Sequence, residues 1–136
     1  MMRTETKGRA RALQLLYAAE AHHLPVEDMV PGLSRLTGPE PNVLDFAEQL
    51  ASAVMRDRPA LDGLIQAAAE NWRIERLAVV DRNILRIGAH EIKSESVPPV
   101  VAIDEALWLA HRFGTTESPA FVNGVLDRIA RSLGRL

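Results

Sequence analysis

Cysteine is absent from this chain of 136 residues, which excludes a disulfide framework and any thiolate metal site. The absence agrees with a reducing, cytoplasmic setting. Aromatic side chains are also scarce: three phenylalanines, two tryptophans and one tyrosine leave few places where a ring can stack on a ligand. No apolar run approaches the ~18 residues of a membrane-spanning helix. The polar, basic N-terminus has no apolar core of the kind a secretory signal needs. Catalytic patterns are missing too, since there is neither a glycine-rich phosphate loop nor a nucleophile elbow around a serine. His22 and His23 are adjacent and point to different sides of a helix, while His90 and His111 stand alone, so none has the four-residue partner of a helical metal pair. Asp104 and Glu105 are likewise neighbours that cannot share a helical face. No catalytic residue, metal site or cofactor is expected.

What is present suits one globular domain over residues 1–136: an ordinary apolar fraction, 25% charged residues and enough length to bury a core. The net charge of -2 conceals an asymmetry. Residues 1–11 hold Arg3, Lys7, Arg9 and Arg11 against Glu5, a net of +3, so the remainder carries -2 - 3 = -5. A basic arm on an acidic body, with residues 1–8 as a flexible extension, is a pattern of nucleic-acid binders, where phosphate contacts supply much of the affinity. All the basic residues except Lys7 and Lys93 are arginine, the side chain suited to forked contacts with phosphates and base edges. Arg3, Lys7 and Arg11 recur every four residues and would line one side of a helical arm, with Gln14 extending the line and Tyr17 three residues further on.

The periodicity is helical throughout. Helices are expected over Gly8–His22, with Leu13, Leu16 and Tyr17 on one face, then over Val26–Leu36 after Pro25, and over Asn42–Arg56 after the Gly38-Pro39 loop. A fourth follows Pro59 and ends near Trp72, which reads as a packing anchor. Ile74–Ile92 carries the clearest three- and four-residue repeat, with Asp81 breaking an apolar row, and Val101–Phe113 follows the break at Pro98-Pro99. Gly114 reads as a left-handed helix cap. No run alternates at period two for long, so the fold class is all-α, an all-helical bundle.

The last helix opens at Ser118-Pro119, a serine cap with proline at the first helical position. Phe121, Val125 and Ile129 form its apolar row, which makes Phe121 a core residue on spacing alone. Gly124 sits inside this helix at a cost of about 1 kcal/mol relative to alanine. Such a glycine signals the close approach of another backbone or of a ligand.

At this point the chain resembles a known family, that of the transcription antitermination factor NusB. The resemblance is carried by Arg9-Ala10-Arg11-Ala12-Leu13-Gln14-Leu15-Leu16-Tyr17, by Trp72 with Arg76-Leu77, and by Val80-Asp81-Arg82-Asn83-Ile84-Leu85-Arg86-Ile87. Ala102-Ile103-Asp104-Glu105-Ala106 and Phe113-Gly114 through Ser118-Pro119 to Phe121-Val122-Asn123-Gly124-Val125-Leu126-Asp127 complete it. It is weakest over 22–58.

The resemblance implies about seven helices, as two packed three-helix sub-bundles plus an extra helix. It implies a non-catalytic role: binding boxA RNA of nascent ribosomal RNA together with NusE, a small-subunit ribosomal protein, and joining other Nus factors on RNA polymerase. Carried onto this chain, the RNA-binding residues are Arg3, Lys7, Arg9, Arg11, Gln14 and Phe121. The NusE-binding residues are Asp81, with Glu75, Arg82 and Tyr17 as lesser contributors. The free protein could be a monomer or a homodimer. Two departures stand out. Thr4, Glu5 and Thr6 dilute the basic arm, and Pro119-Ala120 stand where a basic side chain often precedes the phenylalanine. Competing readings are a helical protein-interaction or dimerisation module, and an RNA-binding domain related to that of a ribosomal RNA cytosine methyltransferase.

Overall fold

The computed structural model describes residues 2–136. Among them every regular element is helical: α1 (Thr4–His22), α2 (Val26–Thr37), α3 (Pro41–Arg56), α4 (Arg58–Ala68), a 3-10 turn (Ile74–Arg76), α5 (Val79–Ser94), α6 (Pro99–Phe113) and α7 (Ser118–Ser132). The chain forms two compact units, one ending at Arg56 and one spanning Asp57–Leu136. The first holds α1–α3 and the second α4–α7, so the helix beyond two sets of three belongs to the second unit.

In the first unit α1 packs along α3. Leu13, Leu15, Leu16 and Ala19 are buried with Val43, Ala47, Ala51 and Val54. The buried row of α1 runs through Ala12, Leu15 and Ala19, so Tyr17 falls outside it and is 53% exposed. Its expected place on the core face is thereby corrected. Gly8 makes room for α3, because a Cβ there would collide with the Phe46 ring. The first helix also begins at Thr4 rather than Gly8, so Lys7 and its neighbours are already helical.

In the second unit α5 packs on α4, α6 and α7. Ile84, Leu85, Ile87, Ala89 and Ile92 are buried, and so are the polar Asn83, Arg86 and Glu91. Arg86 donates through Nε and Nη2 to the two Asp62 carboxylate oxygens at 2.7 and 3.0 Å, and through Nη1 to Asn83 Oδ1 at 3.0 Å. Asp62 keeps a quarter of its side chain in solvent, so the larger cost of losing the pair falls on Arg86, whose buried charge would stay behind when Asp62 is removed. Gly88 lets α7 lie close to α5: a Cβ at that position would stand 2.6 Å from Leu126 Cδ1.

Two elements differ from the periodicity. The fourth helix stops at Ala68, short of Trp72, and Ile74–Ile92 is not one helix. The second break falls at Leu77 and Ala78, whose backbone is extended (ψ 149° and 140°), and Gln66 accounts for the first. Its side-chain amide donates to the Trp72 carbonyl at 2.7 Å and accepts the Ile74 N–H at 2.9 Å, so the backbone groups that a continuous helix would use are engaged elsewhere.

Candidate nucleic-acid interface

In the first unit the basic residues of α1 separate into different environments. Arg3 is exposed and lies 3.8 Å from Glu5. Lys7 donates to Glu40 at 3.0 Å across to the start of α3. Arg11 Nη1 donates to Gln14 Oε1 at 3.0 Å, while its Nε is buried without a hydrogen-bond partner among the described residues. Gln14 also lines a cavity of about 480 Å³ between α1 and α2, together with Met29 and Leu33. Arg9 differs from the solvent-facing arm expected of it. It is 3% exposed, and its guanidinium lies 5.7 Å from the centre of the Phe46 ring, a cation–π distance. The structure thus brings Arg11 and Gln14 together and leaves Arg3 at the rim.

The second unit holds the other expected residues. The Ser118 hydroxyl accepts the Thr115 N–H at 2.9 Å and donates to Asp81 Oδ1 at 2.7 Å. Ser118 was expected to cap α7. Instead it is the first residue of that helix, with Glu117 at the cap position and Pro119 behind it, and its hydroxyl is held by Thr115 and Asp81. Gly114 is extended (φ -94°) rather than left-handed. A Cβ there would stand 2.6 Å from Ser118 Cβ and 2.8 Å from the Ala110 carbonyl oxygen, so the glycine serves close approach.

Asp81 is half-buried at the first turn of α5, where the helix dipole favours a carboxylate. Arg82 Nη1 reaches the Ile74 carbonyl at 3.4 Å. Glu75 is exposed and paired with Arg73 at 2.8 Å. A hydrogen bond from its own backbone, then the charges of Arg73 and Arg76, hold its carboxyl below the ordinary glutamate range. Glu75, Asp81 and Arg82 therefore gather at the entry to α5, while Tyr17 belongs to the other unit.

Phe121 is half-buried and not a core residue. Its ring meets that of Trp72 edge-on, with centroids 6.4 Å apart and planes at 76°. Trp72 is 57% exposed, so it is no packing anchor. The pair borders two clefts. One of about 300 Å³ includes Arg76, Asp81 and Glu117; the other, of about 210 Å³, includes Asn71 and Arg128. Trp72 is the site feature that spacing failed to find. Its only signal was a large ring beside arginine at a helix end.

Among the described residues no three histidine, aspartate or glutamate side chains gather as metal ligands, and no helix is long and apolar enough to cross a membrane. The geometry is that of an all-helical binding protein, with basic, aromatic and acidic groups on its surface.

The chain belongs to the NusB family, whose model matches residues 6–131. It is similar to the transcription antitermination protein NusB of Sorangium cellulosum, with 46% identity across 99% of this chain and 97% of the relative. The solved structure of T. maritima NusB is 32% identical and covers 96% of this chain, with 93% of its own length matched and a TM-score of 0.84. A chain from a structure of antitermination factors NusB and NusE in complex with double-stranded RNA matches at a TM-score of 0.84. It covers 97% of this chain and 99% of its own length, and at 23% identity that likeness shows the fold.

Proposed function

We propose that this chain is a cytoplasmic, non-catalytic antitermination factor that binds boxA-type RNA together with NusE, and through that pair joins other Nus factors on RNA polymerase. The observation that carries the reading is the 46% identity, over nearly the whole of both chains, with a transcription antitermination protein. The local chemistry supports it. Arg3, Lys7, Arg11 and Gln14 offer backbone contacts from the first unit, and Phe121 offers a ring to an unstacked base from the second. Arg9, packed on Phe46, contributes by holding α1 in shape. Asp81, with Glu75, Arg82 and Tyr17, supplies the NusE contacts. NusE raises RNA affinity because two linked footprints on one strand make the second binding event intramolecular.

The test is fluorescence anisotropy of a labelled boxA-type RNA at physiological salt, with and without NusE, against a scrambled RNA. Selective binding that strengthens with NusE is expected. Equal, weak binding to both RNAs that ignores NusE would leave a helical protein-interaction module.

A further inference from the structure

We infer that Glu40, at the start of α3, belongs to the RNA interface as a competitor of RNA, its carboxylate holding the Lys7 ammonium where a phosphate would otherwise bind. The inference rests on the RNA-binding reading above and adds what the cations of α1 face before a strand arrives. Lys7 and Glu40 are 33 residues apart in sequence, and Lys7 Nζ donates to Glu40 Oε2 at 3.0 Å. Their side chains are 38% and 35% exposed, so an incoming strand reaches both.

Most exposed ion pairs are loose, because ordering two long side chains offsets much of their attraction. Here the backbones on both sides are already fixed. Lys7 is followed by Gly8, against which the Phe46 ring of α3 packs, and by Arg9, whose guanidinium lies over the same ring. Buried packing therefore sets the spacing of α1 and α3 beside the pair. Glu40 stands between Pro39 and Pro41, whose rings lock φ. Its carbonyl accepts the Leu44 N–H at 2.9 Å, so it is the residue from which α3 departs. A carboxylate at that end of a helix is also favoured by the dipole. The acid is thus placed by the fold rather than drawn in by the cation.

The cations of α1 are consequently graded. Arg3 lies 3.8 Å from Glu5 and Lys7 is held by Glu40, whereas Arg11 has the neutral amide of Gln14 beside it. A phosphate that reaches Arg11 adds charge-assisted bonds. One that reaches Lys7 exchanges one anionic oxygen for another and leaves a carboxylate unpaired next to the RNA. Lys7 therefore joins in only where neighbouring contacts already hold the strand, which makes its own contact intramolecular. A strand bound by charge alone gains nothing from it.

The test titrates a labelled scrambled RNA with the full chain by anisotropy across a range of low salt, where binding by charge alone is measurable. BoxA-type RNA with NusE is run alongside, and thermal melts check that each variant is folded. Glu40→Gln gives Lys7 the kind of neutral partner that Arg11 has. It should tighten binding of the scrambled RNA by up to about fivefold, the worth of an exposed ion pair. The slope of log K against log salt should steepen by about 0.7, one added contact to a single strand. Glu40→Ala, whose side chain cannot reach Lys7, should do the same and serves if the glutamine variant does not fold. Lys7→Ala alone should leave the slope unchanged, and in that background Glu40→Gln should no longer steepen it. An unchanged slope in both Glu40 variants would overturn the inference. So would a gain of equal size with and without Lys7, which would make Glu40 a distant negative charge only. Either result, with boxA-type RNA still bound selectively, leaves the RNA reading standing. Absence of selective binding by the native chain would remove both.

Discussion

The Ser118 hydroxyl donates a 2.7 Å hydrogen bond to the Asp81 carboxylate, joining the first turns of α7 and α5 across 37 residues of sequence. The residue proposed to meet NusE is thus bonded to the helix that carries Phe121. A hydrogen bond to a charged group contributes about 1.5–3 kcal/mol. Ser118→Ala should lower unfolding stability by about that amount in urea titrations. In a double-mutant cycle with Asp81→Asn the two losses should fall short of additive. Full additivity would mean that the bond is absent in solution.

Gly88 has no room for a side chain. Alanine is the better helix former by about 1 kcal/mol, yet its Cβ at position 88 would press into the fully buried Leu126. Overpacking of this kind costs about 1–3 kcal/mol. Gly88→Ala should therefore lower the denaturation midpoint, and adding Leu126→Val should restore part of it. A midpoint that rises on Gly88→Ala alone would contradict the packing described.

For RNA binding, the count of accessible cations sets the salt response. With Arg9 buried, Arg3, Lys7 and Arg11 remain on the α1 side. Each phosphate contact to a single strand contributes about -0.7 to the slope of log K against log salt. Arg11→Ala should flatten that slope by about 0.7. Arg9→Ala should instead lower the melting temperature, since it removes a packed cation–π contact. The reverse pattern, measured by anisotropy across salt and by thermal melts, would exchange their roles.

Glu75 gives a pH signature. Its carboxyl lies below the ordinary range in the folded protein, chiefly through its own backbone hydrogen bond and then through Arg73 and Arg76. A lowered folded pKa adds stability above the unfolded value, and that contribution is lost as pH falls through the folded one. NMR titration of the Glu75 carboxyl should show a midpoint below that of a glutamate in a free peptide, moving upward in Arg73→Ala. A midpoint unmoved by Arg73→Ala would exclude the ion pair as a cause.

The helices were legible because their apolar spacing and their proline breaks are local signals. Pro25, Pro41 and Pro99 stand at or beside helix starts as the spacing indicates. What escaped the sequence depends on distant partners. The run Ala67-Ala68-Ala69 has every propensity to continue α4, and its end is enforced by Gln66 and by Arg128 on the Ala68 carbonyl. Ser118 looks like a cap, but Asp81 and Thr115 claim its hydroxyl. Exposure of Tyr17 and Trp72 could not be read either, because an aromatic ring at helical spacing looks the same whether it faces a core or water. The charged residues named for the site were legible by type. Whether each reaches solvent was not, and Arg9 shows why: one ring across the helix pair, Phe46, is enough to take it inside.

The bond between Arg11 and Gln14 sets an orientation. Gln14 holds one of the five N–H donors of the guanidinium, which fixes how the planar group is turned and leaves the remaining donors for an incoming group. A charged oxygen makes shorter and stronger bonds to such donors than a neutral one. The amide acts as a rudder, setting the angle at which the cation meets an anion.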